Sequence, residues 1–251
     1  MQALKIINQD FGLLLDTKNP LRRTPKQIIR PIISDESDPS SKLDCITREW
    51  TEEDLVYWKD YHISLRTLER YNVHPVESII SRGEIKPLGS EIAYVFSEYA
   101  PYLKILRPFA DKRSKWRSTY GRELRHGGTV FKEELEKYPM ERKPFTIVTK
   151  SLKDVMVLYE MGFLAEAVSS ESVIPELCDY YNIVLLDSDN PGRDAAAKWI
   201  EKGHTHSKYI FIEDEFTEDE VPIKDIADLV KYKGFEYAKE KINSLIDERV
   251  S

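Results

Sequence analysis

The sequence predicts an α/β protein in which a small parallel sheet flanked by helices follows a mixed α+β unit rich in basic residues. Three observations lead there. From Lys143 onward, short apolar runs alternate with helical stretches over about 90 residues, the rhythm of a parallel sheet with helices on its faces. Ahead of them, runs rich in aromatic and β-branched residues read as short strands. Apolar residues make up 41% of the 251-residue chain, enough for a core and too many for a disordered polymer.

Taken in order, residues 1–45 read as an amino-terminal extension or linker. IIRPIISDESDPSSKLD carries Pro31, Pro39 and a Ser/Asp-rich stretch, and an ordinary surface loop reads the same way. A basic unit spans 46–143. In it TREWTEEDLVYWKDYHISLRTLERYNVHPVESI gives two short helices. Thr51 with Asp54 three residues on is close to a capping box, and Ser64 caps the second helix. Leu65, Leu68 and Tyr71 recur on one side of that helix and face the core. GSEIAYVFS and PYLKILRPF alternate in part and read as strands.

The parallel sheet is expected over 144–235. FTIVT (145–149), AEAVS (165–169), YNIVLLD (181–187) and KYIFIED (208–214) are the strands. Helices follow in SLKDVMVLYEMGF, which Ser151 caps and Gly162 stops, in DSDNPGRDAAAKWIEKG and in VPIKDIADLVKYKG. ESVIPELCDYY is a short helical connection interrupted by Pro175. YNIVLLD is apolar throughout its centre, so it is buried on both faces. An amphipathic helix, 236–251, closes the chain.

Charge adds a second layer. The net formal charge is −7. Yet 104–126 holds Lys104, Arg107, Lys112, Arg113, Lys115, Arg117, Arg122 and Arg125 against only Asp111 and Glu123. A basic block in an acidic protein points to a polyanion contacted on one face. An acidic block, Glu213, Asp214, Glu215, Glu218, Asp219 and Glu220, lies elsewhere. Cys45 and Cys178 make neither a disulfide framework nor a zinc ribbon, so no zinc is expected. With no apolar run of about 18 residues and no secretory pattern at the amino terminus, the expectation is a cytoplasmic protein without a membrane partner.

Right-handed crossovers bring the strand carboxyl ends to one edge, where ligands bind. NIVLLD runs there into Asp187 and Asp189, whose side chains project together from an extended tip. Two such carboxylates repel unless a cation lies between them, and Mg²⁺ prefers carboxylate oxygens with water and phosphate. Otherwise Asp189 simply caps the next helix. Asp225 is expected on the same edge as a third carboxylate, and Asp228 as a surface helix residue. Asp154, one turn into its helix, either bends back to the edge or favours the positive helix end. Lys150 and Lys153 place cationic charge beside the carboxylates. His204 and His206 read as a solvated turn rather than metal ligands.

The ordered set IVTKSLKDVMVLYEMG, VLLDSDNPGRDAA and IKDIADL, covering about 145–235, resembles the Toprim domain of bacterial-type primases, topoisomerases and some nucleases. One departure stands out: Lys150 occupies the place where the family usually carries Glu. The stretches YWKDYHISLRTLERYNV and YLKILRPFADKRSKWRS resemble the region that precedes Toprim in phage-type DNA primases. The resemblance implies DNA-templated synthesis of RNA primers from ribonucleoside triphosphates on single-stranded DNA, in a bacterial or phage-infected cell. It implies Mg²⁺, with Mn²⁺ as a substitute, on Asp187, Asp189 and Asp225. Catalytic roles fall on Lys150, Asp154, Asp187 and Asp189, and nucleotide binding on Lys150, Lys153 and Lys224. Template contacts fall on Lys104, Arg107, Lys112, Arg113, Lys115, Trp116 and Arg117, with Trp116 stacking a base or packing locally. No zinc ribbon and no P-loop is present, so a replicative helicase and a zinc-ribbon protein are expected as separate partners. The alternatives are a degenerate Toprim module that binds nucleic acid or assembles a replisome, and a Toprim nuclease; Lys150 in place of the acid argues against the nuclease.

Overall fold

Alternation of apolar and polar residues builds the first sheet. The structure, a computed structural model, describes residues 28–29, 43–121, 124–138, 145–170, 173 and 183–250. Strands β1 (Ile28–Ile29), β2 (Leu43–Thr47), β3 (Val73–Ser81), β5 (Tyr94–Phe96), β6 (Lys104–Leu106) and β7 (Trp116–Ser118) lie side by side in that order, and β4 (Glu84–Pro87) pairs with β3. All pairings are antiparallel. β2 buries every second residue, Leu43, Cys45 and Thr47, and pairs with Ser81–Val76. This takes Leu43–Cys45 out of the stretch read as a linker: LDCIT has the period-2 pattern of a half-buried strand.

The two expected helices are α1 (Glu52–Lys59) and α2 (Leu65–Arg70), but the VHPVESI end of the stretch read as helical is strand instead, the start of β3, which pairs with β2. The capping box on α1 is complete: Thr51 Oγ1 accepts from Asp54 N–H, and the Asp54 carboxylate accepts from Thr51 N–H at 2.9 Å. Ser64 caps α2 by accepting from Thr67 N–H at 3.2 Å. Leu68 and Tyr71 are buried, while Leu65 is half-buried.

Helix α3 (Gly128–Leu135) leads toward the second sheet. Its strands are β8 (Thr146–Thr149), β9 (Leu164–Ala167), β10 (Ile183–Leu185) and β11 (Lys208–Ile210), all parallel, in the order β11-β10-β8-β9. Between and after them run α4 (Leu152–Glu160), α5 (Asn190–Glu201), α6 (Ile226–Lys233) and α7 (Phe235–Val250). β8, β9 and β10 are buried along their length, as apolar strands covered on both faces must be. Trp199 of α5 seals one face with Val148 and Val184. The other face shares a core with α4, α6, α7 and the antiparallel sheet: Tyr94, Phe96 and Leu106 pack with Ile147, Val155 and Ile226. The opposite face of the antiparallel sheet closes on Cys45, Ile79, Val95 and Ile105.

Two further expectations change. KYIFIED is a strand only through Ile210, and its acidic end turns at Asp214, whose φ is +59°. His204 is buried against Trp199, ring centroids 5.8 Å apart, rather than solvated; His206 is exposed. The ESVIPELCDYY connection lies outside the described residues apart from Val173, as do Arg122 and Cys178. No helix among the described residues is long and apolar enough to cross a membrane.

The chain places β9 on one side of β8, then returns to place β10 and β11 on the other. Strand order therefore reverses between β8 and β10, and a crevice opens outside their carboxyl ends. Lys150 leaves β8 there, and Asp187 follows β10.

Candidate active site

The tip after β10 is shaped by the helix that follows. Asp189 caps α5, its Oδ1 accepting from Gly192 N–H at 3.1 Å, and proline stands in the first turn, where its missing N–H costs nothing. A Cβ on Gly192 would lie 2.0 Å from the Asp187 carbonyl oxygen. Only glycine lets the first turn of α5 press against the strand end. Ser188 N–H donates to Lys224 O at 2.8 Å, stitching the loop before α6 to the tip.

The side chains then converge. Lys224 Nζ donates to Asp189 Oδ2 at 2.8 Å and lies 3.3 Å from Asp187 Oδ2. Lys150 Nζ donates to the same Asp187 oxygen at 2.6 Å. Two carboxylate oxygens, from positions i and i+2 of the tip, thus meet at one cationic point. Burial works against charge on Asp189, but hydrogen bonds from Lys224 and Gly192 hold it below the usual carboxylate range. The bond to Asp189 holds Lys224 protonated well above the ordinary lysine value.

Asp154 and Asp225 line the same cleft and are held at the starts of α4 and α6. Asp154 accepts from Ser151 Oγ at 2.6 Å and from Ala227 N–H at 3.3 Å, tying the start of α4 to the start of α6. Asp225 caps α6, its Oδ1 accepting from Asp228 N–H at 2.7 Å. Burial, then the charge of Asp225, raises Asp154 well above the ordinary aspartate value. Burial and Asp228, opposed by Lys153, raise Asp225 to about 6. No three His, Cys, Asp or Glu side chains among the described residues stand close enough to cage a metal. Asp225 shares the cleft with Asp187 and, like Asp189, gives one carboxylate oxygen to the cap of the helix that follows.

A raised aspartate stabilises the fold only while protonated: that contribution is complete below about 4 and is lost as pH rises through about 6 for Asp225. Asp154→Asn keeps the oxygen that accepts from Ala227 N–H, turns an N–H donor toward Ser151 Oγ in place of the second acceptor, and removes the repulsion. The variant is expected to melt about 2–4 °C higher at pH 8, what roughly 1 kcal/mol gives in a chain of this size, with the gain shrinking toward pH 5. Thermal melts at the two pH values check it; an equal shift at both is the contrary result.

The crevice is a cleft of about 290 Å³ with two unlike walls. Lys150, Asp187, Lys224, Asp225 and Lys231 line one; Tyr57, Phe109, Lys115 and Trp116 line the other. Tyr57 and Phe109 meet edge to face at 5.9 Å. Lys153 is held within the cleft: its Nζ lies 3.9 Å from the Tyr61 ring centre and 3.8 Å from Asp228. A second hollow of about 420 Å³, lined by Asp189, Arg193, Glu213, Phe216 and Lys224, lies across the Lys224 side chain.

The basic block does not act as one surface. Arg107 is clamped by Glu91, at 2.6 and 2.7 Å. Lys104 Nζ sits 3.0 Å from His126 Nε2 and 4.6 Å from the Trp116 ring centre, and burial pulls it down to about 8. Trp116 pairs with Leu106 in register while Arg117 pairs with Ile105. Directly paired residues share a face, so Trp116 stands on the cleft side and Arg117 on the other. Lys112 and Arg113 are exposed. Trp116 is 41% exposed at the rim, its ring 6.0 Å from that of Phe96. Tyr57, Tyr61, Phe109 and Lys231 carry no local sequence signal for the cleft; only the packing of α1, α6 and the loop after β6 brings them there.

No protein-family model matches the chain, and no curated protein matches it at a significant level. Solved structures do. The Aquifex aeolicus primase, zinc-binding and RNA polymerase domains, gives a TM-score of 0.56 at 14% identity over 79% of this chain and 56% of that one. This chain thus spans little more than half of the Aquifex chain. The RNA polymerase domain of Mycobacterium tuberculosis primase DnaG gives 0.54 at 14% identity, over 78% of this chain and 77% of that one. The Escherichia coli primase catalytic core gives 0.51 at 14% identity, covering 77% and 76%. The fold is that of primase catalytic cores.

Proposed function

We propose that this chain is the polymerising core of a DNA primase, joining ribonucleotides into an RNA primer on a single-stranded DNA template. The observation that carries the reading is the convergence of Asp187 Oδ2 and Asp189 Oδ2 on one cationic point at the switch between β8 and β10. It faces a basic and aromatic wall across the cleft, in a fold like that of primase cores. In this reading the unit over 46–143 guides the template and the unit over 144–235 holds the nucleotide.

Asp187 and Asp189 suit a hard divalent cation, Mg²⁺ or Mn²⁺: their oxygens are hard donors that already share a cation, and Mg²⁺ takes one or two carboxylates with water and phosphate. Such an ion, when bound, neutralises the charge that develops on a transferring phosphoryl group. Lys150 and Lys224, 31% and 44% exposed, offer ammonium groups to the triphosphate. Lys112, Arg113 and Lys115 track the template backbone, and Trp116 stacks a base.

Single-stranded DNA, all four ribonucleotides and Mg²⁺ are expected to yield short RNA products on a sizing gel. A second reading, a degenerate module that only binds nucleic acid, draws on the pairing of both carboxylates with lysines and predicts binding without incorporation in either metal. For a replisome role we propose a helicase and a zinc-ribbon protein as partners.

Template binding has its own signature. Log affinity for a single strand is expected to fall by about 0.7 per log unit of salt for each phosphate neutralised. Trp116→Ala is expected to cost about 1–3 kcal/mol with the slope unchanged, and Lys115→Ala to flatten the slope by about 0.7. Fluorescence anisotropy across a salt series checks both, and a wild-type slope near zero removes the basic wall from the template path.

A further inference from the structure

We propose that Lys150 and Lys224 are exchangeable internal cations, which keep a divalent ion off Asp187 and Asp189 until a nucleotide's phosphates draw the ammonium groups away, so that metal and nucleotide bind as a pair. The inference rests on the reading of this site as a nucleotidyl-transfer centre and assigns its lysines a role beyond binding phosphate.

Charge balance is the first argument. Two carboxylates at the tip face two ammonium groups, at 2.6 Å for Lys150 on Asp187, and at 2.8 and 3.3 Å for Lys224 on Asp189 and Asp187. Asp187 Oδ2 carries both contacts, so an ion taking that oxygen must displace charge-assisted bonds. It would also lie beside two like charges. Asp187 is 6% exposed, where water screens such repulsion poorly.

Reach is the second. Lys150 and Lys224 enter from separate loops on four-carbon stems and both line the cleft, 31% and 44% exposed. Lys153 is the more enclosed, its ammonium group against the Tyr61 ring and Asp228. A triphosphate entering the cleft offers anionic oxygens to both the Lys150 and Lys224 ammonium groups at once, which bares the carboxylate pair as the nucleotide arrives. Linkage makes the effect reciprocal: whatever factor the nucleotide adds to metal affinity, the metal adds to nucleotide affinity.

Mn²⁺ binding to the full chain, followed by the loss of the free-ion paramagnetic resonance signal, tests this without reference to turnover. Wild type without nucleotide is expected to bind Mn²⁺ weakly. Lys150→Gln or Lys224→Gln is expected to bind it at least tenfold more tightly, and Lys150→Arg, which keeps the charge, to stay weak. Adding Asp187→Asn to Lys150→Gln is expected to abolish the gain. In wild type, a non-hydrolysable triphosphate analogue followed by anisotropy is expected to bind at least tenfold more tightly with Mn²⁺ than with a chelator. Tight Mn²⁺ binding by wild type alone, lost in Asp187→Asn, leaves the metal site standing and overturns the gating. Mn²⁺ binding by no variant, and no metal effect on the analogue, overturns the gating together with the site beneath it.

Discussion

Asp187→Asn is expected to lower primer synthesis by about a thousandfold while leaving single-strand binding intact. The change keeps the size of the side chain and removes the charge that both Lys150 and Lys224 now meet. Charge stabilisation around a transferring phosphoryl group is worth several kcal/mol, and about 4 kcal/mol corresponds to a factor near 10³ in rate. The proposed template contacts lie across the cleft, on β7 and the loop before it, so they are not expected to depend on the carboxylate. Asp189→Asn is expected to fall in the same direction with the fold intact, because Asn caps a helix as well as Asp does. Incorporation under single-turnover conditions, beside anisotropy with labelled single-stranded DNA, separates the two effects. Undiminished synthesis in both variants removes the assignment of the site.

Gly192→Ala is expected to be as damaging by a different route. The added methyl would sit 2.0 Å from the Asp187 carbonyl oxygen and 2.8 Å from its carbonyl carbon. Backbone atoms cannot rotate aside as a side chain can, so the first turn of α5 must back away from the strand tip. That movement stretches the Asp189 cap on Gly192 N–H and turns Asp187 from its lysines. Forced overpacking of this kind costs about 1–3 kcal/mol or more, which lowers the melting temperature by roughly 2–4 °C per kcal/mol. Synthesis well below the melt is expected to fall toward the level of Asp187→Asn, because the folded fraction holds a displaced tip. A variant that melts and polymerises like wild type would show that the tip tolerates a gap between strand and helix.

The elements that carry the site were readable from local pattern. Ser151 and Thr51 cap the helices they precede, and the apolar run before Asp187 is buried on both faces. The i, i+2 spacing of Asp187 and Asp189 does aim two oxygens at one point. The basic block shows the limit of such reading. Residues adjoining in sequence part on a pleated strand, so Trp116 and Arg117 face opposite ways.

The sequence alone determined the buried strands β8 and β10, the capped helices and the acidic tip, because each depends on neighbours within a few residues. Tertiary structure alone decided which charges meet. Lys150 reaches Asp187 across 37 positions, Lys224 reaches Asp189 across 35, and Arg107 is withdrawn by Glu91. Helix and strand periods repeat along the chain, whereas an ion pair forms between whichever side chains the packed sheets bring within about 4 Å.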